Sequence, residues 1–168
     1  NAFAIRSGMH VGTHMDGPLH MIKNGKKLST FAPEHFFGRG HLIDARKKKI
    51  SKELLKNHKI KKGDIVIIMT GFYKKFNKPN YYKNYPAIPE DFAHELVKLR
   101  VKMVGMDTPS PDYPPFIIHK ILLSKNILII ENLTNLEALL NHKKFNIIAL
   151  PAKFEADSAP ARVIAETS

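Results

Sequence analysis

Short apolar runs separated by polar turns punctuate this chain and predict most of its elements. Ile65-Val-Ile-Ile-Met-Thr70 is a continuous run that suits a strand buried on both faces, with Lys62-Gly63-Asp64 as the turn before it. Further strands are predicted over residues 2–6, 41–44, 102–106, 127–130, 145–150 and 161–165. Helices are predicted between them. Residues 89–98 open on Pro89 with early carboxylates, and residues 51–58 have Ser51 as N-cap. Residues 116–124 read as helical, and Thr134-Asn-Leu-Glu137 reads as a capping box opening another helix. Residues 25–40 read as loop with a short helix around Pro33 to Phe37, and residues 71–84 as a long loop rich in aromatic residues and lysine. Strands alternating with helices predict an α/β domain on a mixed or mostly parallel sheet. Ligands of such sheets gather outside the carboxyl ends of the strands, where Gly71, Asp107 and Glu131 fall.

Composition narrows the picture. The 168 residues suit one domain, and no repeat, linker or change of composition marks a second. With no cysteine there is neither a disulfide framework nor a thiol nucleophile, so a metal site has to use histidine and carboxylate. No apolar run approaches the length of a membrane span, and no signal peptide is visible, which makes a cytoplasmic location the default. The net charge of +12 raises the question of nucleic acid. Most of that charge is lysine in short clusters such as Lys47-Lys48-Lys49, with only five arginines, and neither a zinc-finger spacing nor a glycine-rich phosphate loop accompanies it. A solvated lysine surface is the better reading, and no nucleic-acid partner is expected.

Residues 10–20, His-Val-Gly-Thr-His-Met-Asp-Gly-Pro-Leu-His, concentrate the chemistry. His10, His14, Asp16 and His20 share parity, so an extended segment points them to one side. A straight strand would hold His10 and His14 roughly 13 Å apart, too far for one ion, so the chain has to bend, and Gly12 is placed to allow it. Imidazole with carboxylate is a donor set for Zn²⁺, Mn²⁺ or Fe²⁺. The competing reading is a polar turn whose histidines bond to backbone. A second pair is His119, on a predicted helix, and Glu131, which closes the following strand. A carboxylate after four apolar strand residues needs a partner or a cation if it is buried.

These residues resemble the cyclase-like metal hydrolase family, which includes bacterial kynurenine formamidase and isatin hydrolase. The family motif His-x-Gly-Thr-His-x-Asp-x-Pro-x-His is matched by His10, Gly12, Thr13, His14, Asp16, Pro18 and His20. Thr70-Gly71, Gly105-Met-Asp-Thr-Pro-Ser110, His119, Glu131-Asn-Leu133, Pro151 and Ser158-Ala-Pro-Ala-Arg162 agree downstream. The resemblance implies a swivelling β/β/α fold with a mixed sheet, formed by residues 1–168 as one domain and usually assembled as a homodimer or homotetramer. It also implies an N-terminal segment not included here, since only nine residues precede His10. By the resemblance, His10, His14 and Asp16 bind one metal, Asp16 bridges to a second held by His119 and Glu131, and His20 is the general acid/base.

The implied activity is hydrolysis of an amide, with an aryl-formamide such as N-formylkynurenine as the expected substrate and Zn²⁺, one or two per chain, or Mn²⁺ as the expected cofactor. A cyclic amide or lactone is the runner-up. A non-catalytic basic metal-binding domain and a mononuclear Fe²⁺ oxygenase are rivals from other classes. No Gly-x-Ser-x-Gly elbow is present, which argues against a serine hydrolase. Phe36, Phe37, Phe72 and Tyr73 are candidates to line an aromatic substrate pocket, with Gly71 and Ser110 as further substrate-facing positions. Asp107 and Asp112 are read as orienting ligands or bonding loop amides.

Overall fold

The β-branched and apolar runs of residues 65–69, 103–106 and 128–131 lie side by side in one sheet, because each has both faces to bury. The computed structural model describes residues 1–167. Its strands are β1 (His14–Asp16), β2 (Phe37–Asp44), β3 (Ile65–Met69), β4 (Met103–Met106), β5 (Leu128–Glu131), β6 (Phe145–Pro151) and β7 (Ser158–Thr167). Two α-helices, α1 (Glu90–Leu99) and α2 (Ile117–Leu123), and several single 3-10 turns connect them. The strands close into a barrel in the order β1-β5-β4-β3-β2-β6-β7. β2, β3, β4 and β5 run parallel, while β1, β6 and β7 pair antiparallel with their neighbours. This is the single α/β domain with a mixed sheet that the strand–helix alternation predicts.

Alternation along each parallel strand feeds two cores. Ile65, Ile67, Met69, Met103, Leu128 and Ile130 point into the barrel with Met15, Ile147 and Ala149. Val66, Ile68, Val104 and Ile129 point outward and are covered by Phe92 and Leu96 of α1 and by Ile118 and Leu122 of α2. Helix α1 ends where Arg100 turns left-handed (φ 56°) and returns its N–H to the carbonyls of Leu96 and Val97.

Several elements differ from the sequence prediction. Residues 2–6 form no strand, having no neighbour to pair with, and Phe3 and Ile5 are left more than nine-tenths exposed. The predicted helix at 51–58 is one 3-10 turn, Lys52–Leu55, which buries only Leu55 and so has no apolar face to extend. The expected capping box at Thr134 does not form. Asn135 takes the left-handed conformation (φ 63°) without a side-chain cap, and a 3-10 turn follows over Leu136–Leu139. β2 begins at Phe37, four residues earlier than predicted, because its first residues pair with β6 before the rest pairs with β3.

Candidate metal centre

Strand register assembles the site. The pairing of β1 with β5 sets His14 opposite Glu131, at the end where the parallel strands finish. Its pairing with β7 sets Asp16 opposite Ser158. Within β1, His14 and Asp16 share one face while Met15 enters the barrel core. Gly12 has φ +63°, the bend required to bring His10 back beside them. Pro18 opens the 3-10 turn that carries His20. His119 comes from the buried face of α2.

Two carboxylates stand at the centre, Asp16 and Glu131, both buried. Asp16 Oδ1 lies 3.0 Å from His10 Nδ1 and 3.5 Å from His14 Nε2, and its Oδ2 lies 3.8 Å from His119 Nε2. Glu131 faces the same pair of imidazoles, Oε2 at 3.2 Å from His14 Nε2 and Oε1 at 3.4 Å from His119 Nε2. The far nitrogens are already engaged. His14 Nδ1 is 2.8 Å from the Gly12 carbonyl, so it donates there, and His119 Nδ1 donates to Asp112 Oδ1 at 2.6 Å. In the neutral rings the Nε2 lone pairs therefore point at carboxylate oxygens. That arrangement is repulsive unless a positive charge lies between them.

The orphaned atoms mark the place. His14 Nε2, Asp16 Oδ1 and Asp16 Oδ2 are buried with no hydrogen-bond partner, a cost that a cation would remove. Two groups of donor atoms have a cation's spacing, His10–Asp16–His20 and His14–Asp16–Glu131, and they share Asp16. Both are hard-oxygen and imidazole sets of the kind that suit Zn²⁺ or Mn²⁺. Proton affinities tell the same story. Asp16 raises His10 to about 9, helped by Asp157 against partial burial. Burial opposes charge on His119, yet Asp112, Asp16 and Glu131 raise it to about 11. His14 is likewise raised by Glu131 and Asp16 against burial. Asp16 is held well below the usual carboxylate range by His10 and His119 despite its burial. The two carboxylates draw positive charge into this space, as protons or as a metal ion.

The other predicted site residues are distributed differently. Asp112, which accepts from Ile118 N at 2.6 Å as well as from His119, takes the orienting role foreseen for it. Asp107 takes the other, bonding loop amides: it accepts from Thr70 N, Thr70 Oγ1 and Gly71 N and so clamps the end of β3 to the end of β4. Gly71 is the left-handed start (φ 78°) of the turn after β3. Phe72 is buried against Tyr81 and Tyr85. Ser110 spends its hydroxyl on the Asp112 carbonyl. Phe36 and Phe37 are not brought to the cluster. They lie where β2 begins, the opposite end of the barrel from Glu131, Phe36 in the core and Phe37 beneath the Lys102 ammonium.

Two residues escaped the sequence reading. Asp157, just ahead of β7, faces His10 and His20; nothing local singles it out. Tyr81, buried in the loop after β3, donates to Asn132 Oδ1 at 2.6 Å and helps line a cavity of about 240 Å³. Gly12, Thr13, Tyr73, Phe76 and Asn132 share that lining, so the cavity adjoins the segments that carry His14 and Glu131. The aromatic density of residues 72–85 was its only visible sign.

A closed, mixed α/β barrel with an imidazole–carboxylate cluster at the carboxyl ends of its parallel strands is the class to which this molecule belongs. Residues 2–113 match the family described as "Putative cyclase", and the chain belongs to that family. An uncharacterized protein of Methanocaldococcus jannaschii is 36% identical over 160 residues, covering 94% of this chain and 78% of that protein. Kynurenine formamidase of Bacillus mycoides is 27% identical over 172 residues, covering 98% and 79%. Among solved structures, a potential metal-dependent hydrolase with cyclase activity superposes with a TM-score of 0.82 at 27% identity, covering 98% of this chain and 82% of the other. An isatin hydrolase bound to the product analogue thioisatinate shares the fold, with a TM-score of 0.84 at 23% identity over 95% of this chain and 72% of that one.

Proposed function

We propose that this protein is a metal-dependent hydrolase of amide bonds and that its substrate is an aryl-formamide of the N-formylkynurenine type. The observation that carries the reading is the convergence of imidazole lone pairs on two buried carboxylates, with both Asp16 oxygens and His14 Nε2 left without a hydrogen-bond partner. His10, His14, Asp16, His119 and Glu131 would hold Zn²⁺, or Mn²⁺, around the Asp16 carboxylate, which faces His10, His14 and His119, and the Glu131 carboxylate, which faces His14 and His119. Bound there, such an ion lowers the pKa of water to about 7 and polarises a carbonyl.

The chain's own residues supply the rest. Asp112 and the Gly12 carbonyl hold the rings of His119 and His14 in the orientation the cluster needs. His20 stands at the rim, partly exposed, its ring 4.2 Å from that of His10 and 5.6 Å from that of His119. It thus borders the cluster on one side and is open to solvent on the other. From there it takes a proton from the attacking water and returns it to the departing nitrogen. The 240 Å³ cavity walled by Tyr73, Phe76 and Tyr81 has room for an aryl ring, since about 150 Å³ already admits benzene. The relationship to kynurenine formamidase supports the formamide over other amides.

Protein purified without chelator, assayed for metal per chain and for turnover of N-formylkynurenine and of a cyclic amide, tests the reading. Bound Zn²⁺ or Mn²⁺ with release of formate is the expected result. Turnover of the cyclic amide alone would move the substrate to the runner-up class. No metal, even after reconstitution, would overturn the mechanism.

A further inference from the structure

Asp157 connects two histidines to which the preceding reading gives different tasks. Its Oδ2 lies 3.0 Å from His10 Nε2 and 3.1 Å from His20 Nδ1. Backbone contacts, more than the ion pairs, place it there. Its carbonyl accepts the Gly17 N–H at 2.8 Å, the preceding Ala156 carbonyl accepts the Leu28 N–H at 3.2 Å, and Ser158 pairs with Asp16 across β1 and β7. The carboxylate is thus delivered by the strand register that also delivers Asp16.

An ionised carboxylate only accepts hydrogen bonds, so each imidazole nitrogen that faces it has to carry a hydrogen. In a neutral ring the other nitrogen then carries the lone pair. For His10 that nitrogen is Nδ1, which faces Asp16 at 3.0 Å. For His20 it is Nε2, since Nδ1 is the nitrogen that faces Asp157; among the described residues Nε2 makes no hydrogen bond or ion pair. We propose that Asp157 is a positioning residue that holds His10 as the Nε2–H tautomer and His20 as the Nδ1–H tautomer at once. One carboxylate thereby turns a lone pair toward the metal cluster and leaves a second lone pair free for proton transfer. The inference rests on the assignment of His20 as the acid/base group of the proposed hydrolase. A free imidazole side chain prefers to carry its hydrogen on Nε2, so without Asp157 His20 would revert to the form that blocks that lone pair.

The test is long-range ¹H–¹⁵N spectroscopy of histidine-labelled protein, with and without Zn²⁺, on wild type, Asp157→Ala and Asp157→Asn, with His20→Ala used to assign the His20 signals. Metal content, thermal unfolding and steady-state kinetics on N-formylkynurenine are measured alongside. Wild-type His20 is expected to carry its hydrogen on Nδ1 and to lose that preference in Asp157→Ala. At saturating Zn²⁺ both variants should lose about 10–100-fold in kcat, with KM changed less than about twofold. Asp157→Glu should restore part of the loss. Asp157→Asn, nearly isosteric, keeps the test open should the alanine variant fold poorly. A wild-type His20 protonated on Nε2, or an Asp157→Ala protein with unchanged tautomer and kcat, overturns the proposal. The expected tautomer in a wild-type protein that hydrolyses no amide would instead remove the hydrolase reading and leave the Asp157 assignment standing.

Discussion

Each imidazole of the cluster is aimed by what it does with its other nitrogen. Gly12 O turns His14, Asp112 turns His119, and the two Nε2 atoms meet over Asp16 and Glu131. His20 is the residue whose role geometry leaves closest to two readings, since its ring also falls in a donor group with His10 and Asp16. As an acid/base group it is dispensable for the metal. His20→Ala is therefore expected to keep the wild-type ion count by elemental analysis and to lose about 10²-fold or more in kcat. A fall in bound metal would make it a ligand. A second histidine, away from the cluster, supplies a pH effect. His35 packs edge-on against Phe31, with ring centroids 4.8 Å apart, and its Nε2 is buried without a partner. Burial pushes its pKa below the ordinary 6.5. A lowered folded-state pKa means that the unfolded chain binds the proton first, so stability present above 6.5 is lost as pH falls. His35→Phe removes that loss. The melting temperature of the variant relative to wild type should rise as pH drops from about 7.5 to about 5.5; a pH-independent difference would refute the assignment.

Elements succeed here where burial supports them and shrink where it does not. β3, β4 and β5 were readable because a strand buried on both faces has to be apolar throughout, and α1 because its carboxylates, apolar face and length agree. The segments at 52–55 and 136–139 bury one and two residues and stay single 3-10 turns. Propensity alone does not sustain so short a helix. The turn bearing His20 depends on Gly25 in a way that its sequence position does not advertise. A Cβ on Gly25 would stand 2.5 Å from the Pro18 carbonyl carbon and 2.7 Å from Leu19 N. Backbone, unlike a side-chain tip, cannot step aside without moving the turn. Gly25→Ala should cost about 1–3 kcal/mol in urea unfolding and should lower kcat as well, because Pro18–His20 is displaced. Stability lost with kcat intact would show the two to be independent.

At the scale of the whole molecule, the fold keeps two carboxylates in a place that lysine does not reach. The net charge is +12, yet among the described residues the ion pairs of Asp16 and Glu131 are all with histidine. A cation at the cluster should thus stabilise the barrel by linkage, about 2.7 kcal/mol at a hundredfold excess over Kd. At about 2–4 °C per kcal/mol for a chain of this size, chelation should lower Tm by roughly 5–10 °C, and Zn²⁺ should restore it. A Tm indifferent to chelator would show that the folded protein does not distinguish the site. Among the described residues no helix is long and apolar enough to cross a membrane.

The sequence by itself determined the donor types, the bend at Gly12, the apolar strands and the α/β alternation. Each of these is a local property of side-chain chemistry or backbone preference. Tertiary structure decided the partners. Closure of the barrel sets β1 between β5 and β7, and that placement pairs His14 with Glu131 and brings Asp157 to His10 and His20, while the parallel pairing of β2 with β3 leaves Phe36 and Phe37 at the far end. Register between strands distant in the chain is fixed by the packing of both sheet faces at once, so no single stretch of residues encodes it.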